Sequence, residues 1–332
     1  MPDRNCELVR LIQDEWLLEA TDPATGRTLP GQIEPFRMHR HQRRVLNQFF
    51  TKRRQPGEYR ARMPYRTLVY SCPKKSGKTE VSAAVVWAWI RLYGGLGLSV
   101  ANDKDQSRSN MFARILAFLR RLRAQDQDTY HRLVKRVTGD TVELAEPGIV
   151  TGLPGRIRAI PCDPYGEAGH EDLSIVNFDE LWAYGRSEVT WRLWTELQPI
   201  PTLEHSCRFV TTYAGFFGES EVLYSVYEQA VKPDAQNPDI ATGEHPPGLE
   251  DLPIYHHGSL CAYWDTHARM PWHTDQFLEE AREDPVVKLR PSEYRRLWQN
   301  RWTTGLEAFL DVEQLDRLMD DGERAGLENA YP

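Results

Sequence analysis

The sequence predicts an α/β fold with a mostly parallel central sheet flanked by helices. Apolar runs of strand length recur along the chain, and helical patterns separate most of them, as crossover connections between parallel strands require. One strand-to-helix junction also carries a Gly-Lys-Thr turn. Residues 66–72 (RTLVYSC) form a buried strand, and residues 78–93 (KTEVSAAVVWAWIRLY) a helix with Ala, Val and Trp on its packed side, closed by Gly94-Gly95. Residues 96–101 form a second strand and 106–123 a long amphipathic helix. Short β-like runs lie between 141 and 161, and two further apolar strands follow at 173–178 (LSIVNF) and 208–214 (RFVTTYA).

The chain has 332 residues, enough for one large domain or two modest ones at about 150 residues each. Its net charge of −7 excludes a nucleic-acid binder that works through bulk positive charge, though not local basic faces. Hydrophobic residues make up 40% and aromatics 11%, more than a disordered chain carries. The pI is near 5.9 and the mean hydropathy −0.59. No stretch approaches the roughly 20 apolar residues of a membrane span, and the charged N-terminus lacks a signal-peptide core, so no membrane partner and a cytoplasmic setting are expected. Cys6, Cys72, Cys162, Cys207 and Cys261 are scattered and show no CxxC pair, which argues against a disulfide framework or a zinc knuckle. The histidines show no metal-ligand spacing either.

Residues 1–37 are expected to be an N-terminal extension, 38–232 the core unit, 233–258 a long loop rich in Pro, Asp and Gly, and 259–332 a smaller unit with helices near 274–283, 291–302 and 311–321.

The strongest chemical signal is the run Cys72-Pro73-Lys74-Lys75-Ser76-Gly77-Lys78-Thr79 between a strand and a helix. A phosphate chain needs inward backbone N–H groups, a helix N-terminus, a lysine for the β/γ oxygens and a hydroxyl for Mg²⁺. Gly77, Lys78 and Thr79 supply these parts, although Cys72 stands where the usual opening glycine would be. Asp179-Glu180 follows the strand LSIVNF. An acid at such a strand end holds Mg²⁺, and a second carboxylate beside it activates water. Asp179 fits the first role and Glu180 the second; alone, the pair would read as a loop start or helix cap. Thr211-Thr212, at the end of RFVTTYA, can sense a γ-phosphate, or can simply reflect the preference of Thr for strands. Gln42, in MHRHQRRVL, can hydrogen-bond an adenine edge or be a polar residue of a basic helix. Residues 104–136 hold nine Lys or Arg against three Asp, and Arg120, Arg121 and Arg123 are candidates for binding DNA phosphates; the same charges suit a solvated helix face.

Taken in order, Gln42, PKKSGKT at 73–79, ANDKDQS at 101–107, NFDELW at 177–182 and TTYAGF at 211–216 resemble the ATPase half of a tailed-bacteriophage terminase large subunit. The resemblance spans residues 35 to 315. It implies a RecA-like P-loop ATPase core with a small C-terminal lid, to which CAYWDTHARMPW (261–272) and RRLWQNRWTTGLEAFLD (295–311) would belong. It implies ATP and Mg²⁺ as cofactors, Lys74 as a second γ-phosphate contact in place of the family's usual arginine, Gln42 as the adenine reader and Thr211-Thr212 as the coupling motif. It also implies an arginine that reaches into a neighbour's site within a ring of copies, with Arg156, Arg158 and Arg186 as candidates. The implied partners are double-stranded DNA, the portal protein and the terminase small subunit, at the procapsid portal in the host cytoplasm. Family members usually continue into an RNase H-like nuclease domain; this chain offers no strand-borne aspartate cluster for one, and DNA cutting is not expected of it. A helicase-like ATPase shares several of these motifs but needs a second RecA-like domain, for which too few residues follow Phe216. A non-hydrolysing docking module of the packaging complex is the other alternative.

Overall fold

The computed structural model describes residues 5–54, 59–101, 111–161, 170–185, 188–231, 252–283 and 289–304. The expected helix at 311–321, most of the loop at 233–258 and the motif at 102–107 lie outside the described residues. In chain order the first elements are α1 (Glu7–Glu15), β1 (Leu17–Thr21), β2 (Thr28–Pro35), α2 (Arg40–Phe50), β3 (Thr67–Ser71), α3 (Lys78–Tyr93) and β4 (Gly95–Ala101). Then come α4 (Met111–Gln125), α5 (Gln127–Leu133), β5 (Val134–Val137), β6 (Thr141–Leu144), β7 (Gly155–Pro161) and β8 (Leu173–Asp179). A 3₁₀ turn (Leu181–Tyr184), α6 (Glu188–Glu196), β9 (Cys207–Thr212), β10 (Phe216–Phe217) and α7 (Glu221–Ala230) follow. The last are β11 (Ile254–His257), β12 (Leu260–Trp264), α8 (Asp275–Glu283), α9 (Pro291–Gln299) and β13 (Thr303–Thr304).

Nine strands form one sheet in the order β11-β12-β3-β9-β8-β4-β7-β6-β5. The six from β12 to β7 run parallel, and β11, β6 and β5 extend the edges antiparallel. Strands in the middle are apolar on both faces because helices cover both; β8 is buried at every position. Alternate residues divide between two cores: Leu68 and Tyr70 of β3 pack with α1 to α4, whereas Val69 packs with α6 and α7.

Helix α3 is apolar nearly all round because it lies in the middle of one layer. Every residue except Thr79 and Glu80 is buried. Its partners include α1, whose Leu8, Val9 and Ile12 are buried in the same core. The three tryptophans packed in this layer have their polar ends satisfied: Trp16 Nε1 donates to Glu80 (2.7 Å), Trp87 Nε1 to Glu15 (3.0 Å) and Trp89 Nε1 to Ser174 Oγ (3.0 Å). Gly94 closes α3 at φ 62°, where a Cβ would stand 2.2 Å from the Leu153 carbonyl oxygen. No other residue fits there.

Residues 260–264, expected within the smaller C-terminal unit, form β12, which lies in the central sheet beside β3, with Leu260 paired to Thr67 and Trp264 to Ser71. The apolar run LCAYW is buried at all five positions, which is the pattern of an interior parallel strand. The expected loop likewise ends in a strand, β11.

Asn300 ties this late segment to the sheet. It caps α9 in the left-handed conformation (φ 50°), which Asn tolerates better than most residues. Its Oδ1 accepts from the Ala214 N–H (2.7 Å), and its Nδ2 donates to Ser71 Oγ and to the Asp265 carbonyl (both 3.0 Å). The side chain is fully buried, so Asn300→Ala leaves several polar groups without partners. Urea unfolding of that variant should show a loss of about 2–4 kcal/mol; a loss near zero would mean the clasp contributes nothing to stability.

Candidate active site

The loop between β3 and α3 wraps a helix N-terminus. Gly77 is the N-cap of α3 at φ 75°, and Lys75 also takes a positive φ of 66°. These left-handed residues curl the chain so that backbone N–H groups face inward. Pro73 and Ser76 are buried, while Lys74 and Lys75 are exposed along a cleft of about 530 Å³. Lys78 is 6% exposed; its ammonium donates to the carbonyls of Cys72 (3.0 Å) and Pro73 (3.3 Å) and lies 4.8 Å from the Tyr213 ring centre. Thr79 stands next to it in the first turn.

Asp179 and Glu180 end β8 in the same place. Asp179 is 3% exposed, its Oδ1 accepts from Thr211 Oγ1 (2.9 Å), and its Oδ2 is buried with no hydrogen-bond partner. Burial raises its pKa, and the Thr211 hydroxyl and the Lys78 charge pull the other way. Glu180 adopts φ 55° and is held there by donation of its N–H to the Thr211 carbonyl (2.7 Å). Its Oε2 accepts from Trp182 Nε1 (2.8 Å). Burial raises the Glu180 pKa as well, opposed by the Lys78 charge and reinforced by the Asp179 charge. A raised carboxylate pKa brings a general base closer to neutral pH.

The two threonines do not face the cleft as direct phosphate sensors. Both are fully buried in β9, between β3 and β8. Thr211 clasps Asp179, and Thr212 Oγ1 accepts from the Trp182 N–H (3.4 Å). They reach the site through the acidic motif, because parallel registry puts Thr211 opposite Asp179. Gln42 sits at the cleft in α2, but its amide is already engaged: Nε2 donates to the Ser76 carbonyl (3.2 Å) and Oε1 accepts from the His39 N–H (3.0 Å). It is 1% exposed and braces the loop.

The three-arginine run divides. Arg120 and Arg123 line a second groove with Lys135 and Arg136, whereas Arg121 turns to the cleft beside the β3–α3 loop, where it donates to the Leu17 carbonyl (3.4 Å) and pairs with Glu19 (3.9 Å). One residue along a helix is a turn of about 100°, so three such positions cannot share a face. Arg156 and Arg158 lie on β7, separated from β3 by three strands, about 19 Å at the usual spacing. Arg156 pairs with Asp172 (3.0 Å), and Arg158 lies 3.5 Å from His170 Nε2. Arg186 lies outside the described residues.

Several site residues carried no signal in the sequence. Arg296 of α9 is 5% exposed and lies over the rings of Trp182 (4.1 Å), Phe216 (4.6 Å) and Tyr213 (5.1 Å). Trp272 donates to the Lys75 carbonyl (3.2 Å) and packs on Gly26 in the β1–β2 turn. Only their residue types, an arginine and a tryptophan in aromatic-rich runs, hinted at them.

A divalent cation has a plausible donor set here. Asp179 offers a buried carboxylate oxygen with no partner, and Thr79 offers a hydroxyl at the start of α3, a hard oxygen set of the kind Mg²⁺ takes together with phosphate. Among the described residues there is no cluster of three or more His, Cys, Asp or Glu that could hold a metal alone.

Loop, buried acid and sheet order together define a mostly parallel α/β fold in which one strand, β9, lies between the loop strand β3 and the acidic strand β8. More narrowly, this is the fold of phage large-terminase ATPase domains. The large terminase of bacteriophage HK97 superposes with a TM-score of 0.55 at 14% identity, over 89% of this chain and 55% of that one. A point mutant of the ATPase domain of the Thermus phage P74-26 large terminase gives 0.52 at 14% identity, over 80% of this chain and 95% of that one. The chain thus spans about half the length of the HK97 protein. No family model matches the sequence, and no curated protein matches it either. Among the described residues no helix is long and apolar enough to cross a membrane.

Beside the loop, burial pushes the His41 pKa down to about 4, with the nearby His39, Arg269 and His273 adding to the effect and Asp265 opposing it. The folded state therefore keeps His41 neutral in a range where the unfolded chain, with an ordinary value of 6.5, takes up a proton. Its contribution is complete above pH 6.5 and declines as pH falls toward 4. Melting temperatures measured at pH 7 and pH 5 should fall further for the wild type than for His41→Gln; equal slopes would mean that His41 titrates normally.

Proposed function

We propose that this chain is the ATPase of a phage DNA-packaging motor, which hydrolyses ATP to drive double-stranded DNA through the portal into a procapsid. The observation that carries the reading is that Lys78, Thr79 and Glu180 line one cleft while Asp179, next to Glu180, is buried behind it and bonded by Thr211 from the strand beside β3. Loop N–H groups and Lys78 would bind the β- and γ-phosphates, with Lys74 and Lys75 along the cleft rim. Gln42 braces the loop at the Ser76 carbonyl, and Lys78 bonds it from within at the Pro73 carbonyl. Thr79 and Asp179 would hold Mg²⁺, which when bound neutralises charge on the phosphates. Glu180 takes the proton of the attacking water, and its raised pKa suits that role. Lys78 stabilises charge that develops on the transferred group.

An arginine from a neighbouring copy would complete the site. Arg156 and Arg158 lie too far along the sheet to serve their own cleft, which suits a residue acting in trans in a ring; Arg186 stays a candidate by its position after the acidic motif. The portal protein and the small subunit are the proposed partners, in the host cytoplasm. DNA phosphates are proposed to meet the groove of Arg120, Arg123, Lys135 and Arg136, since Arg121 is engaged elsewhere.

Two measurements test this. ATP hydrolysis per subunit should rise with protein concentration and fall by several orders of magnitude in Glu180→Gln while ATP binding persists; a wild type no faster than this variant would leave only a docking role. Charge reversal of Arg120 and Arg123 should weaken DNA binding and flatten its salt dependence, whereas Arg121→Glu should change it far less. Equal effects would place the DNA surface elsewhere.

A further inference from the structure

The Glu180 carboxylate has an orienting partner, and that partner has one of its own. Trp182 Nε1 donates to Glu180 Oε2 at 2.8 Å, which leaves Oε1 as the oxygen for a water. Residue 182 is also fixed through its main chain: the Trp182 backbone N–H donates to Thr212 Oγ1 (3.4 Å) and its backbone carbonyl accepts from Ser220 Oγ (2.7 Å). The ring is sandwiched in place by Tyr213, stacked at 5.5 Å, and by Phe216, edge-on at 6.2 Å.

Arg296 completes the set. Its guanidinium lies 4.1 Å from the Trp182 ring centre, in a pocket that excludes water, and it pairs with Glu293 (2.8 Å) on its own helix. Its Nη1 is buried without a hydrogen-bond partner. Desolvating a guanidinium is costly, and here it is offset by the Glu293 carboxylate on one side and the aromatic faces on the other. A cation over an indole face also draws density from the ring and makes the N–H a stronger donor. The same helix is bonded to the phosphate loop, since the Lys74 N–H donates to the Leu297 carbonyl (2.7 Å).

We propose that Trp182 and Arg296 are positioning residues for Glu180: the indole N–H fixes the carboxylate for attack on water, and Arg296 holds the indole, so that α9 sets the alignment of the base. The logic is that of a base oriented by a third group, here an indole backed by a cation. It gives the C-terminal segment a direct physical route to the hydrolytic step. The proposal rests on the reading of Glu180 as the base, so its test needs one arm that is independent of turnover.

In the first arm, Trp182→Phe keeps an aromatic ring in the stack and removes the N–H together with the pyrrole half of the indole. It should lower kcat about 10- to 100-fold, as loss of an outer-shell orienting partner typically does, with KM and ATP-analogue affinity within about twofold of wild type. Arg296→Gln should give the same split, and Arg296→Lys should recover part of the loss because it restores the charge. A purely structural role would instead change KM, melting temperature and kcat together. Unchanged kcat in Trp182→Phe overturns the proposal and leaves the ATPase reading intact. The second arm follows the indole ¹⁵N–¹H resonance that disappears in Trp182→Phe. It should move in Glu180→Gln and in Arg296→Gln; a stationary resonance in both overturns the proposal even where the wild type hydrolyses ATP. If the wild type does not hydrolyse ATP, the functional reading fails and this resonance alone decides whether the three groups are coupled.

Discussion

The cleft depends on keeping two consecutive carboxylates, one buried and one half-buried, beside a single ammonium. Burial disfavours the charge on both Asp179 and Glu180, and each raises the cost of the other, so the pair is tenable only with Lys78 close by. The surrounding architecture supplies that closeness. Strand β8 delivers Asp179, a left-handed residue turns the chain so that Glu180 follows it into the cleft, and the first turn of α3 brings Lys78. Backbone strain at Glu180, uncommon for a residue with a Cβ, is offset by the hydrogen bond to the Thr211 carbonyl.

Such a site needs an immobile helix beneath it, and α3 is pinned along its whole length. Near its start Glu80 accepts from Trp16; Trp87, in its third turn, donates to Glu15; at its end Arg91 bridges Glu15 (3.2 Å) and Glu146 (3.3 Å). The N-terminal segment is therefore part of the support for the phosphate loop. From the other side, Asn300 and α9 tie the C-terminal segment to the ends of β3, β9 and β12. Chain regions far apart in sequence thus meet within one hydrogen bond of the loop, and that is how a change at the cleft can reach them.

Helix α4 shows how one element serves two surfaces. Arg114 and Arg121, seven residues apart, face the cleft of the β3–α3 loop and pair with Glu80 and Glu19, while Arg120 and Arg123 border the outer groove. A local excess of charge in sequence says that a helix is basic; only the phase of the helix against its neighbours says which charges are spent on folding.

Much was legible before any coordinates, for reasons specific to the residues concerned. The helix at 78–93 was plain because it is long and ends in glycine, and the strands around 67–71, 173–179 and 207–212 because buried parallel strands are continuously apolar. The loop and the Asp179-Glu180 pair were plain because phosphate and metal chemistry demands few residue types at fixed points between strand and helix. The strand at 260–264 carries no clear signal because a short apolar aromatic run fits a lid or a sheet equally well, and the sequence does not tell that Gln42 bonds the Ser76 carbonyl or that Thr211 bonds Asp179. Local sequence determined which elements form and which chemical groups the chain carries, since propensity, periodicity and loop chemistry act over a few residues. Tertiary structure alone decided that Trp182 orients Glu180, that Arg296 backs Trp182 and that Asn300 joins three strands, because those contacts link positions whose separation along the chain leaves no periodic trace.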